Sequence, residues 1–206
     1  MRRKRERGSY DRALVNRVLD EGLVCHVGFA GERGPMVLPM TYVRVGDQLY
    51  LHGAAGNDML RKLAGDAEVC VTVTLLDGLV FARSAFHHSM NYRCVVLFGR
   101  AERVTDEAEL QTMAAALLDH LAPGRSADAR RPTTEELRAT LIVRIPITEG
   151  SAKVRTGGPI DDDEDLDLPV WAGEVPMRLT AGSPIPDAGS RAQVAVPEYL
   201  DRLVRE

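Results

Sequence analysis

The chain has 206 residues, a hydrophobic fraction of 45% and a formal net charge of −4. That length suits one domain with a tail, or one domain that completes its core by pairing with a second copy. The excess of acid over base excludes a general polyanion binder, so nucleic acid is not an expected partner. No stretch approaches the ~20 apolar residues of a membrane helix, and no membrane partner is expected.

At the start, Arg2, Arg3, Lys4, Arg5 and Arg7 are followed by no apolar segment and read as a solvated basic arm rather than a targeting signal. Ser9 and Asp11 precede Leu14, Val15, Val18 and Leu19, whose helical spacing ends at Gly22. The period then becomes strand-like over residues 23–30, 35–45 and 48–52, with turns at 31–34 and 46–47. Gly56 and Asn57 open a second helix carrying Met59, Leu60 and Leu63 and closing at Gly65. Apolar runs at 67–75 and 79–86 flank Asp77-Gly78, a pair that predicts a tight hairpin turn because Gly accepts positive φ. A strand over 94–104 leads to a helix capped near Thr105 or Asp106, with Leu110, Met113, Leu117 and Leu118 on it. Residues 122–133 read as a surface loop, 134–138 as a helical turn, and 139–154 as a final strand interrupted near Pro146. An acidic run, 161–167, reads as a solvated loop leading to the apolar patch 168–172. Cys25, Cys70 and Cys94 are odd in number and each lie in an apolar run, the pattern of core thiols in a reducing compartment, by default the cytoplasm. Short turns between consecutive strands predict a small antiparallel barrel with helices at its ends, not a parallel doubly wound sheet.

No phosphate-binding loop, Rossmann glycine fingerprint, metalloprotease helix or nucleophile elbow occurs, so chemistry must be sought in constellations. The first is the segment 52–62, from His52 to Lys62, where small residues and the backbone N–H groups of a helix start suit a phosphate, or simply make an ordinary strand-to-helix turn. The second is 83–93, dense in polar and aromatic groups, with His87 and His88 adjacent. Neighbours in an extended chain point to opposite faces, so a paired-His metal site is disfavoured and no metal is expected. The third joins Lys153 and Arg155, on one face of a strand, to the lone Trp171, which suits either stacking on a ring or anchoring the tail.

Four stretches carry a resemblance in order and spacing: 34–42 (GPMVLPMTY), 49–53 (LYLHG), 86–99 (FHHSMNYRCVVLFG), and 152–157 (AKVRTG) with 169–173 (PVWAG). Together they resemble the pyridoxamine 5′-phosphate oxidase-like FMN-binding split-barrel superfamily, particularly its flavin-nucleotide-binding and nitroimidazole-resistance-like branch. The likeness runs from about Leu14 to Met177. It implies a mainly β fold with helices, a six-stranded antiparallel Greek-key split barrel, forming a homodimer with FMN sites at the interface. By position, Pro39, Met40, Thr41 and Tyr42 would line the flavin ring with backbone groups, and His52 and Gly53 would lie beside the phosphate and ribityl chain. Tyr92 and Arg93 would approach from a neighbouring strand, with Lys153 and Trp171 completing the site. Relatives place a Ser-Arg or Arg-Lys pair at the phosphate turn, where this chain has Asn57-Asp58. A carboxylate repels a phosphate dianion, so Arg61 or Lys62 must substitute if FMN is held.

The resemblance also implies a barrel domain over 1–156, with an acidic loop and tail over 157–206 packing back on it. The function it implies is an FMN-dependent oxidoreductase acting on a small organic substrate, with His87 or His88 the best-placed catalytic acid or base. Two alternatives are a non-catalytic flavin or ligand carrier, and a haem protein of the same barrel with His87 or His88 as axial ligand.

Overall fold

Side chains of one strand alternate between two faces, and here the inward set closes a ring. Cys25, Val27 and Phe29 lie on one strand, Leu49 and Leu51 on another, and Val69, Val71 and Val73 on a third, all buried in a single core with Val95, Leu97, Val143 and Ile145. The computed structural model describes residues 7–192 and 194–205; Arg2, Arg3, Lys4 and Arg5 of the basic arm lie outside the described residues. In chain order the elements are β1 (Gly8–Ser9), α1 (Arg12–Glu21), β2 (Val24–Gly31), β3 (Gly34–Val45), β4 (Gln48–Ala54), α2 (Asp58–Leu63), β5 (Gly65–Phe81) and β6 (Ser89–Arg103). They continue as α3 (Glu107–Leu121), α4 (Arg125–Asp128), α5 (Thr134–Arg138), β7 (Thr140–Pro146), β8 (Glu149–Arg155), β9 (Gly173–Pro176) and α6 (Glu198–Arg205).

All pairings are antiparallel, and β2, β3, β4, β7, β6 and β5 close into a six-stranded barrel through the β5–β2 pairing. The expected mainly β split barrel is thus present. The split lies along β5 and β6. One edge of β6 pairs with β5, while its other edge meets β8 over 92–98 and β7 only at Glu102 and Arg103. Likewise β5 pairs with β2 near Val69–Thr72 and with β9 over 78–81.

The helices close the ends. Asp11 caps α1 by accepting from the Ala13 N–H, and Val15, Val18 and Leu19 turn into the core. Gly22 ends that helix where a Cβ would lie 2.5 Å from Val73 and 2.7 Å from the Tyr42 hydroxyl, so only glycine fits the approach. Tyr42 itself is fully buried and donates to the Leu19 carbonyl at 2.7 Å, tying β3 to α1. On the outer face of β3, β4 and β7, Val43, Tyr50 and Ile142 pack under α3 with Val104 and Met113.

The Asp77-Gly78 pair is not a hairpin turn. It lies within the continuous strand β5, at an irregularity in the pairing with β6 between Leu76 and Gly78. Its glycine serves close packing instead, since a Cβ on Gly78 would come within 3.1 Å of the Val175 carbonyl on β9. The carboxylate of Asp77 accepts from Arg93 across the strand pair. The hairpin turn comes later, in residues 82–88, which include a single 3₁₀ turn at Ala85–His87.

Replacing Tyr42 with Phe removes the buried hydroxyl bond to Leu19 while keeping the ring. Urea unfolding is expected to show a loss of about 1–2 kcal/mol; an unchanged midpoint would mean that the bond does not help to hold α1 on the barrel.

Candidate functional site

Strands β3 and β4 run as partners only from Val45↔Gln48 to Tyr42↔Leu51. Beyond that point β4 continues along β7 through His52, Gly53 and Ala54, whereas β3 continues along β2 alone. Among the described residues one edge of β3 over residues 36–41 is therefore without a strand partner, and alternate N–H and C=O groups along it face outward. The turn after β4 carries the chain into α2, capped by the Asn57 side chain, which accepts from the Leu60 N–H. Between the parted elements is a cavity of about 290 Å³ with Phe29, Met36, Leu38 and Met59 as its apolar wall and Asp58 and Lys62 at its polar rim.

Of the residues singled out in the sequence, Asn57 and Lys62 line this cavity, and the others of this first group lie on the elements around it. Pro39, Met40 and Thr41 lie on the free edge of β3, and Tyr42 is the last residue paired to β4. His52 and Gly53 lie near the end of β4, paired to β7, and Asn57 caps α2 after the turn. Arg61 forms an ion pair with Asp58, one turn back on α2, and Lys62 reaches Glu32 at 3.0 Å. The pairs are exposed and so weakly held, leaving both cations able to exchange partners. Burial lowers the pKa of His52 from its ordinary value, favouring the neutral imidazole.

A second group lies on β6 and β8. The Lys153 ammonium is 5.8 Å from the centre of the Tyr92 ring, beside a groove of about 630 Å³ lined by Tyr10, Cys94, Val96, Phe98 and Ser151. Arg93 is not available there as a free cation. It bonds Asp77 and then Glu21, and these carboxylates raise its pKa further. Cys25 is buried and its thiol is pushed up to about 12 by loss of solvation, while Cys70 and Cys94 are half-buried free thiols.

The third group is the histidine turn. His88 Nδ1 lies 2.9 Å from the Ser84 carbonyl, which can only accept, so Nδ1 carries a proton and Nε2 is the nitrogen left free of that bond. His87 has the opposite arrangement, with Nε2 at 3.1 Å from the Asp162 carboxylate. Aromatic rings surround the pair: Phe81 meets His88 edge-on at 5.8 Å and Trp171 at 6.1 Å, and Phe86 meets His87 edge-on at 5.1 Å. Trp171 is 66% exposed and Phe86 83%, so neither ring is a buried anchor.

The acidic run is more closely bound than a solvated loop. The Asp161 side chain is almost wholly buried and accepts from both the Arg83 N–H and the Arg83 guanidinium at 2.9 Å. Burial alone would raise its pKa, but the bonds from Arg83 outweigh that and hold it below the usual carboxylate value. Arg155 is also buried, donating to Asn91 and to the Gly157 and Gly158 carbonyls, and Asn91 in turn donates to Glu174. Asp161 does not stand out by residue type, because it lies in an acidic stretch, and Arg155, grouped with Lys153 from the sequence, is buried and committed to these acceptors rather than offered as a free cation.

An antiparallel split barrel with a free strand edge facing a strand-to-helix turn defines a class, and sequence comparison places the chain within it. The chain belongs to the pyridoxamine 5′-phosphate oxidase family, which it matches over residues 11–154. Among solved structures it is similar to the flavocytochrome Anf3 from Azotobacter vinelandii, at 37% identity and a TM-score of 0.91, covering 98% of this chain and 94% of that one. The FAD and heme binding protein from Mycobacterium smegmatis is 36% identical with a TM-score of 0.91, covering 96% and 97% of the two chains. A putative 5-nitroimidazole antibiotic resistance protein from Bacteroides thetaiotaomicron shares the fold at 22% identity and a TM-score of 0.59, covering 71% of this chain and 86% of that one. Comparison with curated proteins finds no match. Among the described residues no helix is long and apolar enough to cross a membrane.

His52 tests the electrostatics of the cleft. The unfolded chain takes up its proton near the ordinary ~6.5 while the folded chain resists it, so the contribution of His52 to stability is full above that pH and falls as the pH drops through it. A proton NMR titration is expected to place the His52 midpoint below 6.5, and a midpoint at or above that value would contradict its burial as a neutral imidazole.

Proposed function

We propose that this chain is a flavin-dependent redox protein that holds its flavin in the cleft between β3 and α2 and also carries a haem on His88. The observation that carries the flavin reading is the parting of β3 from β4 at Tyr42 and Leu51, which leaves a free backbone edge opposite the His52 turn. A flavin ring has donors and acceptors along one edge, and a strand edge offers the complementary alternation at fixed spacing. The small residues 53–56 let a phosphate-bearing chain approach the backbone, and Arg61 and Lys62 supply mobile positive charge.

We further propose FAD rather than the FMN expected from the sequence. The terminal phosphate of FMN carries about −1.5 to −2 charge at neutral pH, concentrated on one group, as any phosphomonoester does. FAD carries about one charge on each of two linked phosphates, which an exposed Asp58 opposes less strongly. The proteins that are 36% and 37% identical over nearly the whole chain are described as an FAD and heme binding protein and a flavocytochrome.

The haem reading is favoured by the tautomer of His88. An imidazole whose Nδ1–H is fixed on a backbone carbonyl presents Nε2 as a ready ligand, and this is the usual arrangement of metal-bound histidine. The aromatic surface of Phe81, Phe86 and Trp171 suits a flat apolar ring. When bound, the flavin would exchange electrons in pairs and the haem singly. The chain's part is to position both and to supply neutral His52 and the backbone edge beside the first. The substrate is a small organic molecule or an electron carrier that reaches the flavin. His87, held by Asp162, is the proposed proton-handling group near the turn.

A homodimer follows from the same reading. The Lys153 and Tyr92 face is separate from the β3 cleft in one chain, and a partner copy would bring its own Lys153 face to that cleft, giving each flavin residues from both chains. The barrel over 1–156 is proposed as the flavin-binding unit and 157–206 as its appendage. Three free thiols suit a reducing compartment such as the cytoplasm.

The absorption spectrum of the purified protein tests both cofactors. Flavin bands and a Soret band are expected, with His88→Ala removing the Soret band and keeping the flavin. A protein that takes up neither FAD nor FMN would overturn the flavin reading. Asp58→Arg is expected to tighten FMN at least about tenfold, equivalent to about 1.4 kcal/mol, and FAD by less. Equal effects on the two would remove the argument for FAD.

A further inference from the structure

The family match ends at residue 154, whereas the flavocytochrome and the FAD and heme binding protein are covered along with 98% and 96% of this chain. What the chain shares with that pair beyond the family match therefore lies largely in the segment after β8. Its contacts converge on the histidine turn. At its root, Arg155 donates to the carbonyls of Gly157 at 2.7 Å and Gly158 at 2.8 Å, fixing the chain where it leaves the sheet. At its far end β9 pairs with β5 over 78–81, and Glu174 accepts from Asn91 of β6. Trp171 leans on Phe81, the same ring that meets His88.

Between these anchors, Asp161 and Asp162 reach the turn itself. Asp161, with 1% of its side chain exposed, accepts from the Arg83 N–H and the Arg83 guanidinium. It thereby fixes the backbone one residue ahead of Ser84, whose carbonyl sets the His88 tautomer. Asp162 holds His87 at 3.1 Å, turning it away from the role of His88. Removing the carboxylate charge of Asp161 would leave a largely buried Arg83 uncompensated and free the start of the turn.

We propose that residues 155–176 form a strap that positions the haem-ligand turn, with Asp161 as the positioning residue that orients His88 through Arg83 and Ser84. The inference rests on the reading of His88 as a haem ligand. It assigns to the acidic run a task that composition alone would give to solvent. Asp161 acts through Arg83 and the backbone it holds.

The test uses the full-length chain carrying Asp161→Asn, which keeps the shape and removes the charge, with Asp162→Asn as a milder variant at an exposed side chain. Hemin titration of wild type and variants is read by the Soret and visible bands, together with flavin content and thermal midpoint. Asp161→Asn is expected to weaken hemin binding at least tenfold and to shift the visible bands that report the axial ligand. Flavin content should stay at the wild-type level, and Asp162→Asn should have the smaller effect. Wild-type hemin affinity and wild-type bands in a folded Asp161→Asn protein would overturn the strap while leaving the haem reading in place. If Asp161→Asn fails to fold, unchanged bands and affinity in Asp162→Asn and in Arg83→Lys, which keeps the charge but loses the guanidinium geometry, would overturn it equally. A wild-type chain that binds no hemin would overturn the haem reading and the strap's role with it.

Discussion

A β-strand has two hydrogen-bonding edges, and in β5 and β6 one edge of each is used by the other. These strands, of 17 and 15 residues, are longer than the barrel requires, so the free edge of each is shared between two sets of partners. At one end β2 and β7 complete the barrel; at the other, β8 and β9 continue the sheet. Everything of functional interest lies where that division forces strands apart. β3 loses β4 because β4 follows β7, and the turn joining β5 to β6 emerges at the end where β9 is paired.

The division also separates two electrostatic environments. The cleft has exposed, exchangeable charges at Asp58, Arg61 and Lys62, and the nearby His52 has its pKa lowered by burial, a setting in which an anionic ligand can compete for cations already in place. The histidine turn has charges that are committed. Asp161 is buried against Arg83, Arg155 against backbone carbonyls, and Arg93 against Asp77 and Glu21. In one region the charges can exchange partners, and in the other they hold a geometry.

Much of the barrel was legible locally, since the alternation along β2, the short apolar runs of β4 and β7 and the helical spacing of Val15, Val18 and Leu19 are local properties of the chain. The Asp77-Gly78 pair misled because the same residues serve a hairpin turn and a strand irregularity, and only the arrival of β9 from a hundred residues downstream decides between them. The acidic run was opaque for a related reason. Asp161 and Asp162 have the composition of a solvated loop, and their roles depend on Arg83 and His87, which lie more than 70 residues away. The strand-to-helix segment that carries Asn57 and Lys62 was legible, while the cavity they line depended on which strand β4 follows.

If the open edge of β3 receives a flavin, amide hydrogen exchange with and without FAD reads the contact residue by residue. Unpaired N–H groups on an edge exchange freely until a partner takes them. FAD is predicted to slow exchange in residues 36–41 and in the turn 53–59, with little change on β7. Protection confined to another face, or none at saturating FAD, would contradict the account.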